Sequence, residues 1–311
     1  MKNLMISSLA AILMMSFSAR AEDSTSSLSA PTSSQMKIDA ENLLKNKKFT
    51  DDREITDIKL KADSGSLSKY SLKFNLSYYG PTFGNLSARE QPNPDNSSGP
   101  TSTALSGTIG MRYRTSSQTA FSLGTGLKSI HPLQGSDRTD VSTPYLNYEI
   151  TSRTDSGIQM RNSFGGSYVT LPEWRKVGEV AAATYDFASI YNFGSSGFAA
   201  GIDGNLNYYF YDRSYIPTDK TPSRGSVQVF PTVKYNISDK LNVTTSTTLT
   251  WISPRDRSNE TILLNRTVSQ RLGLGYAITR EIYIFPYATI LPSRLAWDMT
   301  SINMSTSFSI L

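Results

Sequence analysis

Hydrophobic and polar residues alternate along most of this chain, most regularly between Val227 and Trp251. From Val227 to Ile237 the odd positions are almost all apolar, and after a turn at residues 238–240 the same alternation continues to Trp251. A side-chain period of two places one face of an extended strand in an apolar environment and the other in water. Each arm holds eleven residues, and a tilted strand needs about 9–11 residues to cross a bilayer. The pattern therefore predicts a membrane-spanning β-hairpin.

The same unit recurs from Lys69 to the end of the chain and predicts twelve strands joined by alternating long and short connections. Bacterial outer-membrane barrels have short periplasmic turns and longer outer loops, and an even strand number returns both chain ends to the periplasm. The sequence thus predicts an all-β fold, a transmembrane antiparallel up-and-down β-barrel formed by residues 69–311. Long loops are expected at residues 80–100, 130–140 and 212–225, and the last strand is expected to begin near Ala296.

Aromatic residues support this arrangement, because girdles of such residues mark the two membrane interfaces of a barrel. Ten of them fall at matching heights along the predicted strands. They are Tyr70, Tyr113, Tyr148, Tyr185, Tyr235 and Tyr276 on the turn side, with Tyr78, Tyr168, Phe210 and Trp251 on the loop side.

Two predicted strands depart from simple alternation. The strand at 282–291 has no polar face, because Ile282 and Ile284 oppose Tyr283, Phe285 and Tyr287. One of these two sets must therefore pack inside the barrel. The strand at 268–276 places Gln270, and Arg266 just before it, on its predicted lipid face, which suggests a local change of register.

The first 68 residues do not share the strand pattern. Residues 1–21 are typical of a secretory signal, with a basic start, an apolar stretch and the small-x-small sequence Ala19-Arg20-Ala21. Residues 22–68 are expected to form a periplasmic extension with a flexible Ser/Thr-rich linker. Residues 35–49 can form a short amphipathic helix, and the charged stretch 50–68 has no clear assignment.

Composition narrows the class of protein further. The 311 residues are only 38% hydrophobic, as expected for a barrel with a polar interior. No mature segment approaches the roughly 18 consecutive apolar residues of a transmembrane helix, which excludes a helical membrane protein. The formal charge of +5 is spread over the whole chain, so nothing indicates a nucleic-acid partner. The chain contains no cysteine, and export to the bacterial outer membrane fits this absence.

Candidate catalytic chemistry is sparse. The chain has one histidine, His131, in a predicted outer loop, and the Pro and Leu that follow it supply no Ser partner. The Ser–His pair that this type of nucleophilic catalysis requires is therefore missing, and we predict that the protein is not an enzyme. Neither a metal-binding signature nor a cofactor motif is present, so no cofactor is expected.

The strongest functional signal comes from charged residues that alternation places inside the barrel. Rings of Arg and Lys select for negative solutes, whereas opposite charges can also pair across the lumen and fill it. The inward-facing residues that could set selectivity are Lys73, Arg112, Arg114, Arg161, Lys234 and Arg271, against Glu149, Asp186 and Asp203; Lys128 also faces inward.

From Lys69 to Leu311 the chain resembles bacterial outer-membrane β-barrel proteins of the twelve-stranded size, through its signal peptide, hairpin rhythm and amphipathic terminal strand. The resemblance implies outer-membrane localisation, membrane lipid as surroundings and the barrel-assembly machinery as a partner. Known barrels of this size include channels, lipid hydrolases and translocators. Two hypotheses remain: a narrow passive channel for small, anionic solutes, or a structural barrel with a filled lumen. The second would present loops 80–100 and 212–225 to a surface partner.

Overall fold

The computed structural model describes residues 55–92, 100–212, 222–255 and 264–310. Two short helices, α1 (Ile58–Ser64) and α2 (Pro172–Lys176), accompany fifteen strands in these ranges. No helix among the described residues has the length and apolar character needed to cross a membrane. The strands are β1 (Tyr70–Thr82), β2 (Glu90–Gln91), β3 (Thr101–Ser102), β4 (Ala104–Arg114), β5 (Thr119–Ile130), β6 (Arg138–Arg153), β7 (Gln159–Tyr168), β8 (Glu179–Asn192), β9 (Phe198–Tyr211), β10 (Ser223–Asn236), β11 (Leu241–Pro254), β12 (Leu264–Asn265), β13 (Ser269–Thr279), β14 (Ile282–Ile290) and β15 (Ser301–Ile310).

Twelve long strands in the described ranges form one closed antiparallel barrel. Each pairs with its neighbours along the chain, and the first strand, β1, pairs with the last, β15. Phe74 lies opposite Phe308 at this seam, with ring centroids 4.6 Å apart. Closure leaves no unpaired edge, as a structure that crosses a membrane with strands requires. The predicted fold and the predicted number of strands are both confirmed.

The outer wall of the barrel is apolar. Alternate residues on neighbouring strands expose large side chains, among them Met111, Leu123 and Leu272. Tyr70 and Tyr113 are also exposed and their rings lie 5.3 Å apart at the end where the connections are short. In water such a surface would be costly to expose, whereas a bilayer surrounds it favourably.

Some strand boundaries differ from the prediction. β6 begins at Arg138 rather than after residue 140, because Arg138 pairs with Ile130 beyond a bulge in the β5–β6 ladder. Thr143 has a φ of 58°, which marks the irregularity on the β6 side. β15 begins at Ser301 rather than near Ala296, since residues 291–300 form a connection that bonds to the end of β1 through Phe83 and Gly84.

The strand without a polar face, β14, turns its aromatic residues inward. Tyr283 and Tyr287 are buried, and Phe285 stacks on Tyr287 with centroids 5.1 Å apart. Gly273 and Gly275 on the neighbouring strand make room for these rings, because an added Cβ at either position would collide with them. The prediction that one apolar set faces the lumen is confirmed.

Gln270 lies on the outer wall, as alternation predicted for that position. Its side chain exchanges hydrogen bonds with two threonines on the adjacent strand: Thr247 donates to the amide oxygen at 2.7 Å, and the amide nitrogen donates to Thr245 at 2.5 Å. These bonds satisfy the Gln270 amide within the wall. The predicted change of register occurs just before β13: Ser269 lies opposite Thr248, whereas Asn265 lies opposite Trp251, which is a shift of one residue.

Candidate functional site in the barrel lumen

Residues 55–68 lie inside the barrel at the end where the connections are short. Helix α1 begins after Asp57, whose side chain accepts a hydrogen bond from the Leu60 amide at 2.9 Å. The helix ends at Gly65, which has a φ of 69°. A Cβ at Gly65 would also lie 2.7 Å from Nη1 of Arg112, so a residue with a side chain would be strained here on two counts.

Polar groups of the wall hold the start of this segment. Oε1 of Gln159 accepts hydrogen bonds from the Thr56 and Asp57 amides at 2.7 and 2.8 Å, and its Nε2 donates to the Thr56 hydroxyl at 2.9 Å. Nζ of Lys234 lies 2.5 Å from Oδ2 of Asp57. Burial raises the pKa of Asp57, but the Lys234 ammonium and the hydrogen bond from Leu60 outweigh it and place that pKa below its ordinary value.

Two further side chains of the wall, those of Asp203 and Arg114, fix the middle and the end of the segment. Lys59 pairs with Asp203 at 2.5 Å. Arg114 donates from Nη2 to the Ser64 carbonyl at 2.9 Å and from Nε to the Ser66 carbonyl at 3.1 Å. The Arg114 guanidinium thus satisfies carbonyl groups at the end of α1 that have no partner within the helix.

Small apolar clusters complete the attachment. Ile55 and Leu60 pack against Ala188, Ile190 and Ala199 of β8 and β9. On the opposite wall, the helix packs against β13 and β14 through Ala62, Ala277 and Tyr283, with Ile58 and Phe285 at the edge. Because α1 touches walls on both sides of the lumen, it narrows the barrel at this end.

Residues 55–68 belong to a stretch that had no clear assignment from the sequence. The sequence placed the whole of residues 22–68 in a periplasmic extension, but the structure places 55–68 within the barrel. The physical reason is complementarity: Asp57 and Lys59 meet Lys234 and Asp203, which are distant in sequence and unrelated by any local period. The predicted helix at residues 35–49 and the rest of 22–54 lie outside the described residues.

A second charged cluster lies on the wall formed by β1 and β4–β7. Three cations surround the buried carboxylate of Glu149: Nζ of Lys73 at 2.9 Å, Nη2 of Arg112 at 3.3 Å and Nε of Arg161 at 3.5 Å. The Ser122 hydroxyl also donates to Glu149, at 3.2 Å. These four side chains carry a formal excess of two positive charges, and the carboxylates of Asp63 and Asp186 also act on Arg161.

Two adjoining cavities lie between α1 and the end of the barrel that carries the long loops. One has a volume of about 340 Å³ and the other about 440 Å³. Both are lined by Lys59, Asp63, Arg161, Asp186 and Tyr283. Arg161 therefore connects the cluster around Glu149 to the space that a solute would occupy.

The predicted lumen residues fall into three groups. Lys73, Arg112, Arg161 and Glu149 form one network, whereas Lys234, Asp203 and Arg114 hold residues 55–68. Arg271 lies between the rings of Phe230 and Tyr287, and Asp186 accepts a hydrogen bond from Asn205 at 2.5 Å. The sequence analysis missed Asp57, Lys59 and Gln159, because the first two lie outside the alternating region and the third is an ordinary polar residue at a strand end.

His131 lies in a loop at the opposite end of the barrel. Its Nδ1 is 2.7 Å from Oδ2 of Asp137 and 3.0 Å from Nη2 of Arg89. The backbone of His131 has a φ of 52°. These contacts tie the connection at 131–137 to the loop that follows β1.

No known family model matches the sequence, and no curated protein is detectably similar to it. Solved structures do share the fold. An outer membrane channel from Pseudomonas putida F1 is 10% identical with a TM-score of 0.51, and the alignment covers 80% of this chain and 98% of that one. The NanC porin is 10% identical with a TM-score of 0.43, covering 76% and 98%. The KdgM porin is 8% identical with a TM-score of 0.41, covering 78% and 99%. The closed barrel and the likeness to the Pseudomonas putida channel show that this chain has the fold of a bacterial outer-membrane β-barrel.

Proposed function

We propose that the protein is a porin-like channel of the bacterial outer membrane that passes small solutes and favours anions. The observation that carries this proposal is the convergence of Lys73, Arg112 and Arg161 on the single carboxylate of Glu149. The net positive charge of these four side chains is fixed on a narrow lumen wall, where water screens it less than on an open surface. Small anions would therefore be concentrated there relative to cations.

Two further features support a solute pathway. The cavities of about 340 and 440 Å³ next to Arg161 provide space within the barrel. By analogy, the solved structure from Pseudomonas putida that shares the fold is described as an outer membrane channel. The protein would reach this membrane through the secretory signal at residues 1–21 and insert with the barrel-assembly machinery.

Planar-bilayer recording tests the proposal. The purified full chain should give small, steady conductance steps, and its reversal potential in a KCl gradient should show preference for chloride over potassium. A pore that conducts but favours potassium would contradict the anion preference, and only the channel part of the proposal would stand.

One observation favours the alternative of a structural barrel with a filled lumen. Residues 55–68 contact opposite walls and narrow one end. If neither the wild-type chain nor a variant with a weakened attachment of this segment conducts, the structural function is supported. The barrel would then present residues 80–100 and 212–225 to a partner; residues 93–99 and 213–221 lie outside the described ranges.

A further inference from the structure

Arg271 differs from the other cations of the lumen in what holds it. It lies on β13 facing inward, with Ser246 and Thr289 opposite it on the adjacent strands. Its guanidinium carbon lies 5.0 Å from the ring centroid of Phe230 and 5.6 Å from that of Tyr287. Aromatic faces attract a guanidinium without neutralising its charge.

No carboxylate pairs with Arg271 among the described residues. The cations around Glu149 share that carboxylate, and Lys234 and Lys59 pair with Asp57 and Asp203. Contacts with two aromatic rings leave the charge of the Arg271 guanidinium unneutralised. Arg271 lines the cavity of about 340 Å³.

Hydroxyl groups line the same cavity, namely those of Thr232, Thr244, Ser246 and Ser305. The Thr232 and Thr244 hydroxyls already donate to the Phe230 carbonyl and to Oδ1 of Asn242, which leaves Ser246 and Ser305 as donors to a ligand. A guanidinium offers two parallel N–H donors that match the two oxygens of a carboxylate, and nearby hydroxyls can donate to the remaining lone pairs. The volume falls at the lower end of the range of about 300–1,000 Å³ that small-molecule sites occupy.

We propose that Arg271 and the hydroxyls of Ser246 and Ser305 form a binding subsite for the carboxylate group of a small solute in transit. The inference rests on the proposed channel function and names the class of anion that the channel favours. Four carboxylates also line this cavity and balance its four cations; they belong to Asp57, Asp63, Asp186 and Asp203. Their negative charge opposes a doubly charged ligand such as hydrogen phosphate more than a singly charged one. A monocarboxylate therefore fits the balance of charge better than phosphate does.

Benzoate binding to the detergent-solubilised full chain tests the subsite without requiring conductance. Isothermal titration should detect benzoate binding to the wild type and weaker binding of inorganic phosphate. Arg271→Gln should weaken benzoate binding by at least about tenfold, because a charge-assisted hydrogen bond is lost. Arg271→Lys should bind benzoate with an affinity between those of the wild type and Arg271→Gln, because an ammonium keeps the charge but not the planar pair of donors.

The matched control is Lys128→Gln, which also removes one inward-facing cation but lies outside the residues that line either cavity. This variant should bind benzoate like the wild type. The shift in gel mobility on heating, characteristic of a closed barrel, confirms that each variant is folded.

The outcomes separate the two proposals. Equal benzoate binding by the wild type and Arg271→Gln, tighter binding of phosphate, or no binding by the wild type would each overturn the subsite. Benzoate binding that depends on Arg271 in a protein without conductance would refute the channel and keep the subsite. Conductance with anion preference, together with benzoate binding that does not depend on Arg271, would refute the subsite and keep the channel.

Discussion

The carboxylate of Asp57 lies 2.5 Å from the ammonium of Lys234, although 177 residues separate them in the chain. Both side chains are 2% exposed. Asp57 also caps helix α1, so one carboxylate joins the start of the helix to the wall of the barrel. A helix of seven residues has little stability alone. The attachment of residues 55–68 therefore depends strongly on this pair.

Asp57→Asn should release residues 55–68 from the wall. Removing one partner of a buried ion pair typically costs about 3–5 kcal/mol, because the remaining charge is left without compensation. Trypsin should then cleave after Lys59 or Lys61 much faster than in the wild type, as seen by mass spectrometry, and the conductance should rise. Asp239→Asn, in an exposed turn at the same end, is the control and should behave like the wild type. Equal protection in the Asp57 variant would show that the pair does not hold the segment.

Only strong acid should release residues 55–68 from the barrel wall. The pKa of Asp57 in the fold lies below its ordinary value of 3.8, so its ionised form stabilises the docked segment above that pH. The stabilisation is lost as the pH falls through the lower pKa of the docked state. Conductance should stay constant from pH 7 to pH 5 and rise below about pH 3.8. Asp57→Asn should lack this acid-induced rise, and a wild-type transition near neutral pH would point to another group.

Arg161→Gln should reduce the preference for anions. Arg161 lines both cavities, and a unit charge about 6 Å from an ion in water contributes roughly 0.7 kcal/mol. Losing this charge affects chloride and potassium in opposite directions, so the chloride-to-potassium permeability ratio should fall about tenfold, measured as a shift of the reversal potential in a KCl gradient. Lys240→Gln removes a charge from an exposed turn and should leave the ratio unchanged. An unaltered ratio in the Arg161 variant would remove this residue from the selectivity site.

Gly275→Ala should destabilise the barrel. A Cβ at Gly275 would overlap the Tyr283 hydroxyl and lie 2.6 Å from the carbon that bears it. Overpacking of this kind typically costs about 1–3 kcal/mol, so the temperature at which the folded form disappears on a denaturing gel should fall. Gly166→Ala is the matched control, because its nearest neighbour would be 3.8 Å away. A loss of stability of equal size in both variants would show that glycine itself, rather than the space for Tyr283, matters.

His131→Ala should leave the barrel assembled and its conductance unchanged. His131 contacts Asp137 and Arg89 in the loops, away from the lumen network. We also expect the purified wild-type protein to show no calcium-dependent hydrolysis of phospholipid. Hydrolysis that disappears in the His131 variant would establish a catalytic role and refute the prediction that this protein is not an enzyme.

The sequence alone determined which residues form the inner face and which form the outer face of the barrel wall. A period of two assigns Lys73, Arg112 and Glu149 to the inner face and Met111 and Leu272 to the outer face, and the structure agrees. Alternation is a local property, since successive side chains of any strand point to opposite sides. Counting such segments was therefore sufficient to predict twelve strands and a closed barrel.

Only the tertiary structure decided what those inward residues contact. Lys73 reaches Glu149 across two intervening strands, and Asp57 reaches Lys234 across the lumen. Such contacts depend on the register of every pair of strands and on the curvature of the closed barrel, neither of which is encoded in a local repeat. For the same reason, the location of residues 55–68 could not be predicted: their partners come from β4, β7, β9 and β10, whose inner faces enclose one space only when the barrel closes.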